Sequence, residues 1–209
     1  MNIVKVSVIT VVFNNVVHIS GAIESVLSQE YPFIEYILID GGSTDGTLDV
    51  IEEYRDRIHI LLSEPDCGIY DALNKGIDLA SGEIIGFLHS DDLFAHDSVI
   101  SSIVEGYVKF NADVVYGDIE YVQVDNVKRV MRYWRAGLFS QKKLNIGWMP
   151  PHPSVYVSRQ AYKRLGGFDL TYRISADYDF LLRMLSDSMF RVHYLSEVLV
   201  KMRLGGTSN

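Results

Sequence analysis

The chain has 209 residues, enough for one domain with a sizeable core, and its 48% hydrophobic and 22% charged content is that of an ordinary globular protein. A formal net charge of −8 argues against a nucleic-acid partner. Cys67 is the single cysteine, so no disulfide can form within the chain and a reducing compartment is expected. No apolar run approaches the roughly 18 residues of a membrane-spanning helix, and Met1-Asn2-Ile3-Val4-Lys5 lacks the shape of a signal peptide.

Val6 to Phe13 reads as a continuously buried strand stopped by Asn14-Asn15. Ile19, Ile23, Val26 and Leu27 recur at helical spacing before Tyr31-Pro32. Ile34 to Ile39 is the next strand and runs into Asp40-Gly41-Gly42-Ser43. Thr44 or Asp45 then caps a helix with Leu48, Ile51 and Tyr54 on one face. A short strand over 58–62 precedes a helical face of Ile69, Ala72, Leu73, Gly76, Ile77 and Ala80, closed by Ser81-Gly82. Ile84 to Leu88 is a strand that ends abruptly in His89-Ser90-Asp91-Asp92. A helix starting near Asp97-Ser98, with Ile100, Ile103, Val104 and Tyr107 inward, leads to a strand over 114–116. Strands separated by helices of this length imply a mostly parallel sheet covered on both faces, which binds ligands at the carboxyl ends of its strands.

The second half reads differently. Strands over 119–124 and 127–134 flank an Asp125-Asn126 turn, and the basic cluster over 128–135 reads as a solvated strand face. A Pro-rich loop spans 147–153, short helices cover 159–165 and 177–185, and two short strands over 193–195 and 198–201 close the chain.

Three strand ends carry Asn14, Asp40 and Asp91-Asp92. Adjacent carboxylates at the end of a buried strand repel each other and resist ionisation, so they need a cation or hydrogen-bond donors. Mg²⁺ or Mn²⁺, with its preference for hard oxygen ligands, would meet that need and hold a diphosphate. The alternative is that one of the two merely caps the following helix.

Five motifs in order carry a resemblance to the family 2 glycosyltransferases, which have the GT-A fold. They are Val8 to Asn14, Ile39 to Thr47, Ser63 to Gly76 with its Asp66-Cys67-Gly68-Ile69-Tyr70-Asp71-Ala72 core, His89 to Asp92, and Gly166-Gly167-Phe168-Asp169 followed by Ala176 to Asp179. The chain looks most like bacterial members that build capsule, exopolysaccharide or O-antigen repeats. The resemblance implies a single α/β domain of residues 1–209. Residues 1–117 would bind a nucleotide-diphosphate sugar on a mostly parallel sheet, and 118–209 would form a smaller mixed half for a saccharide acceptor. That acceptor is expected to be lipid-linked, at the cytoplasmic face of the membrane, with peripheral membrane association left open. Members often continue into a helical or basic tail beyond the point where this sequence stops.

Residue by residue, the resemblance places Thr10, Phe13, Asn14, Asp40, Gly42, Asp66, Asn74, Lys75 and Ser90 around the donor, a UDP-sugar being favoured. Asp91, aided by Asp92, would hold Mn²⁺ or Mg²⁺, and Asp177 would be the general base of an inverting transfer. Asp40 can accept from a uracil N3–H, and Phe13 can stack on the ring or pack in the core. Lys75 can reach phosphate or stay an exposed lysine, and Asp66 can contact the ligand or only make a turn. Trp148 and His152 suit an acceptor sugar, with core packing the alternative for Trp148. Two positions depart from the family pattern: His89 stands where a first acid is usual, and Ala176 stands where a glutamate precedes the base. A nucleotidyltransferase would need a Gly-rich basic loop after the first strand, and Phe13-Asn14-Asn15-Val16-Val17-His18 has neither Gly nor Lys nor Arg. A non-catalytic sugar- or nucleotide-binding module remains a third reading.

Overall fold

The computed structural model describes residues 3–205. Its first half alternates as expected: β1 (Val6–Val12), α1 (Ile19–Leu27), β2 (Ile34–Asp40), α2 (Thr47–Glu52), β3 (Ile60–Ser63), α3 (Ile69–Leu79) and β4 (Ile84–Phe87). Then follow β5 (Leu93–Phe94), α4 (Val99–Phe110), β6 (Val114–Gln123), β7 (Asn126–Trp134), α5 (Gln141–Leu144), β8 (Tyr156–Ser158), α6 (Arg159–Leu165), α7 (Ala176–Ser186) and β9 (Val192–Arg203).

The strands form one sheet in the order β3-β2-β1-β4-β8-β6-β9-β5, with β7 paired to β6. β1 to β4 run parallel to one another, while β8 inserts antiparallel between β4 and β6. β1 is buried along its whole length because both faces are covered. Val6, Val8 and Val12 pack with α1, α2 and α4, while Ile9 and Val11 pack with α3, α6 and α7. This puts the ends of β1, β2, β3 and β4 along one edge, at Val12, Asp40, Ser63 and Phe87.

The second half departs from the sequence reading in several places, the short α5 among them. Residues 114–123 form one strand, not two, because β9 pairs along nearly all of it and the bulges near Asp118 absorb the irregularity. Residues 192–203 are likewise one strand. The hairpin turn is Val124-Asp125, one residue earlier than expected, with Gln123 opposite Asn126. The three residues of β8 lie within a run whose neighbours are proline and helix, too short for a period-2 signal.

Candidate active site

The loops after β1, β2 and β4 are tied to one another by side chains. Asn14, at φ 49°, donates its backbone N–H to the Ser43 hydroxyl at 2.8 Å, and its side-chain oxygen accepts from the Thr44 N–H at 2.8 Å. Asn15 donates from its backbone to the Thr47 hydroxyl and from its amide to the Ser90 hydroxyl, each at 2.9 Å. Gly46, not Thr44 or Asp45, holds the N-cap position of α2; Asp45 precedes it and accepts from the Thr47 N–H at 3.0 Å and the Val16 N–H at 3.1 Å. Asn14 and Ser90 are therefore held by protein contacts that shape the rim, and Asn15 is a part of it that residue type alone did not single out.

Asp40 does not face a ligand. It is fully buried, and its carboxylate accepts from the Gly42 N–H (3.0 Å), the Ser43 N–H (3.1 Å) and the Ser63 hydroxyl (2.7 Å). The base-reading role assigned to it is corrected to one of organising the β2 turn, where Gly42 takes φ 85°. Thr10 is likewise corrected: it is buried within the sheet and accepts from the Tyr36 hydroxyl at 3.1 Å.

The open surface nearby belongs to Phe13 and Asp66. Phe13 is 62% exposed, which excludes core packing. A Cβ built on Gly41 would lie 2.3 Å from Asp66 Oδ2 and 3.4 Å from the Phe13 ring. Only glycine at position 41 lets the carboxylate and the ring approach so closely. Asp66 accepts from the Gly68 N–H at 2.8 Å through Oδ1.

Asn74 and Lys75 also take other roles. Asn74 is bonded in both directions to the Phe168 backbone, accepting at 2.8 Å and donating at 2.9 Å, so its amide joins α3 to the Gly166-Gly167-Phe168 turn. Lys75 is paired with Glu64 at 2.8 Å and Asp71 at 3.4 Å and donates to the Pro65 carbonyl. It braces the loop that carries Asp66 rather than standing free for phosphate.

At the end of β4 the two acids separate. α4 begins at Val99 with Ser98 at its N-cap position, and β5 intervenes, so neither Asp91 nor Asp92 caps that helix. Asp91 is partly exposed. Asp92 is 1% exposed with no hydrogen-bond partner for either carboxylate oxygen, and burial, reinforced by Asp91, pushes its carboxyl well above the usual carboxylate range. With no donor to either oxygen, the buried Asp92 carboxyl depends for its charge on a nearby cation, Arg203 or an ion held beside Asp91. Its cationic neighbour is Arg203 at the end of β9, which donates to the Asp91 carbonyl.

Asp177, in the first turn of α7, accepts from the Tyr70 hydroxyl at 2.8 Å through Oδ1. Ser175, just before it, takes φ 69°, a left-handed conformation uncommon for a residue with a side chain. The rings of His89 and His152 lie 6.1 Å apart, with Phe87 and Phe168 against His152. Burial holds both imidazoles toward the neutral form against the pull of Asp177. Ala176 is fully buried, leaving no place for the missing acid, and Asp179 does not replace it because it pairs with Arg183 at 2.8 Å. Trp148 donates to the Ala136 carbonyl at 2.9 Å and packs on Tyr116 and Phe139, so for Trp148 the packing alternative holds, whereas His152 sits in the centre of the site.

Tyr70 and Arg203 were not assigned roles from sequence. Tyr70 lies inside a recognised motif. Nothing in the sequence marks Arg203, which is 112 positions from the residue it supports.

Among the described residues no group of three or more His, Cys, Asp or Glu is arranged to hold an ion by itself. One partly exposed carboxylate, Asp91, is nonetheless the donor set that Mg²⁺ or Mn²⁺ uses when substrate phosphates and water complete its shell. The residues fit an ion shared with a diphosphate.

A parallel nucleotide-type sheet with acids at its strand ends, joined through Tyr70 to a carboxylate of the second half, is the layout of a GT-A glycosyltransferase. The sequence model described as Glycosyl transferase family 2 matches residues 7–166, and the chain belongs to that family. It is 28% identical over 208 residues to the PGL/p-HBAD biosynthesis glycosyltransferase Rv2957 of Mycobacterium tuberculosis, covering 97% of this chain and 78% of that relative. Among solved structures, S. aureus TarS in complex with UDP superposes with a TM-score of 0.77 at 19% identity, covering 96% of this chain and 60% of that one. The mannosyltransferase PcManGT of Pyrobaculum calidifontis, in complex with GDP-Man and Mn²⁺, gives a TM-score of 0.71 at 18% identity, covering 98% of this chain and 58% of that one. These likenesses show the GT-A fold.

Proposed function

We propose that the chain is an inverting, divalent-cation-assisted glycosyltransferase that moves a sugar from a uridine-type nucleotide diphosphate to a hydroxyl of a lipid-linked saccharide. The observation that carries this reading is the Tyr70-tethered carboxylate of Asp177, which acts together with Asp91 on the buried His89 imidazole beside His152. Phe13 and Asp66 form the cup for the base, with the ring as stacking face and Asp66 Oδ2 as acceptor for the uracil N3–H. Mg²⁺ or Mn²⁺ at Asp91 would neutralise charge on the departing diphosphate. Solved relatives in complex with UDP and with GDP-Man and Mn²⁺ support a nucleotide donor and an ion.

Asp177 Oδ1 is held by Tyr70, and Oδ2 accepts no hydrogen bond from the described residues. Oδ2 takes the acceptor proton as oxygen attacks the anomeric carbon, a contribution of about 10² to 10⁴ in rate. With one carboxylate acting as base and the diphosphate leaving from the opposite face, the displacement inverts the anomeric centre.

The test is UDP binding by calorimetry for the wild type, Asp91→Ala and Asp66→Ala in Mn²⁺ and in EDTA, with NMR of the product linkage. Asp91→Ala should weaken binding only in Mn²⁺. Asp66→Ala should weaken UDP in both conditions and remove the preference for UDP over CDP. Retention of configuration, or equal losses for Asp91→Ala with and without the ion, would overturn the reading.

A further inference from the structure

Between Asp125 and Asp169 the chain has no acidic residue, although its net charge is −8. Lys128, Arg129, Arg132, Arg135, Lys142 and Lys143 fall within sixteen consecutive positions of that stretch, and all six are exposed. β7, which carries the first three, pairs with β6 and is exposed along almost its whole length. Exposed apolar side chains fall in the same stretch of sequence: Met131 is 51% exposed, Leu138 70% and Ile146 84%.

The two parts of this surface are tied together. The Lys143 ammonium donates to the Leu138 carbonyl at 2.8 Å and the Trp148 indole to the Ala136 carbonyl at 2.9 Å, folding α5 and the following turn back onto the segment after β7. Arg132 lies over the rings of Tyr121 and Trp134, 5.4 and 5.9 Å from their centroids. A cationic edge strand alone is a common guard against strand-to-strand association. Exposed aliphatic side chains such as Leu138 and Ile146 do not serve that purpose, because they favour association. Cations with protruding aliphatic groups match the interface of an anionic bilayer, where charges meet headgroups and apolar tips enter the acyl boundary.

We infer that the surface formed by β7, the 135–140 segment and α5 docks on an anionic phospholipid bilayer. The same segment continues through Trp148 to His152, so docking would bring the second half of the cleft to the membrane. That orientation, though not the docking itself, rests on the lipid-linked acceptor proposed above.

The test is co-sedimentation of the whole protein, without donor or acceptor, with vesicles of phosphatidylcholine alone or mixed with phosphatidylglycerol. Binding is expected only to the mixed vesicles and should fall as salt is raised. Each cation near an anionic surface is worth roughly a fivefold change, so a Lys128→Gln, Arg129→Gln, Arg132→Gln, Arg135→Gln variant should bind more than about a hundredfold more weakly. Leu138→Ser with Ile146→Ser should also weaken it, while Lys128→Arg keeps it. UDP affinity, measured on the same samples, should be unchanged in every variant, which separates this inference from the proposed chemistry. Equal binding to both vesicle types, no binding to either, or binding that the fourfold variant retains would overturn it. A concentration-dependent dimer lost in that variant would also overturn it and assign the face to a second copy.

Discussion

The Tyr70 hydroxyl donates to Asp177 Oδ1 at 2.8 Å, joining the first turn of α3 to the first turn of α7 across the cleft. Burial, and then Asp177 itself, push the Tyr70 phenol up to about 12, so it stays a donor at any working pH. Tyr70→Phe removes a hydrogen bond to a charged group, and turnover should fall about tenfold or more while UDP affinity holds. Asp177→Asn should fall further, by 10² or more, again with donor affinity intact. Steady-state kinetics beside calorimetry would show the split, and a Tyr70→Phe enzyme with normal turnover would remove Tyr70 from the site.

Arg203 supports the ion-facing turn from the far end of the chain by donating from Nη1 to the Asp91 carbonyl, while its buried Nε has no partner among the described residues. Arg203→Met keeps the aliphatic bulk but withdraws the donor and the cation beside Asp92. Mn²⁺ affinity in the presence of UDP should drop about tenfold, while UDP binding in EDTA stays constant. Manganese electron paramagnetic resonance measures the first and calorimetry the second.

Gly167 lies where a Cβ would come 2.2 Å from Asn74 Oδ1, the oxygen that accepts from the Phe168 N–H. Gly167→Ala should therefore cost about 1–3 kcal/mol, read from denaturant midpoints. Asn74→Ala should also destabilise, without a selective loss of UDP binding. A stable Asn74→Ala protein that no longer binds UDP would return Asn74 to the donor site.

Glu35, in β2 opposite Ser7 of β1, is 5% exposed. Burial opposes its charge, but hydrogen bonds from Lys5 (2.5 Å), Ser7 (2.6 Å) and Ser81 (2.5 Å) outweigh it and pull the carboxyl down to about 2. A carboxyl lowered on folding stabilises fully above its ordinary value of 4.5, and the contribution is lost as pH falls from there toward 2. Glu35→Gln should cost roughly 1–3 kcal/mol at neutral pH and flatten the acid limb of stability, so that the two proteins converge near pH 2. Thermal melts across that range would check it.

The order of strands and helices through α4, apart from the two-residue β5, the helical faces and the three polar strand ends were determined by sequence alone. Apolar spacing and capping residues are local properties that each segment carries with it. The position of Asp177 relative to the helix it opens was legible for the same reason. What a polar side chain bonds to was not. Asp40, Asn74 and Phe13 stand in equally recognisable motifs, yet Asp40 accepts from Gly42, Ser43 and Ser63, Asn74 is bonded in both directions to the Phe168 backbone, and only Phe13 is open. β8 entering between β4 and β6 was also hidden, since three apolar residues give no period and a sheet edge is chosen by pairing. The contacts that build the site, Tyr70 with Asp177, Asn74 with Phe168 and Arg203 with Asp91, span 107, 94 and 112 positions. Such pairings exist only once the chain has closed those loops, so tertiary structure alone decided them.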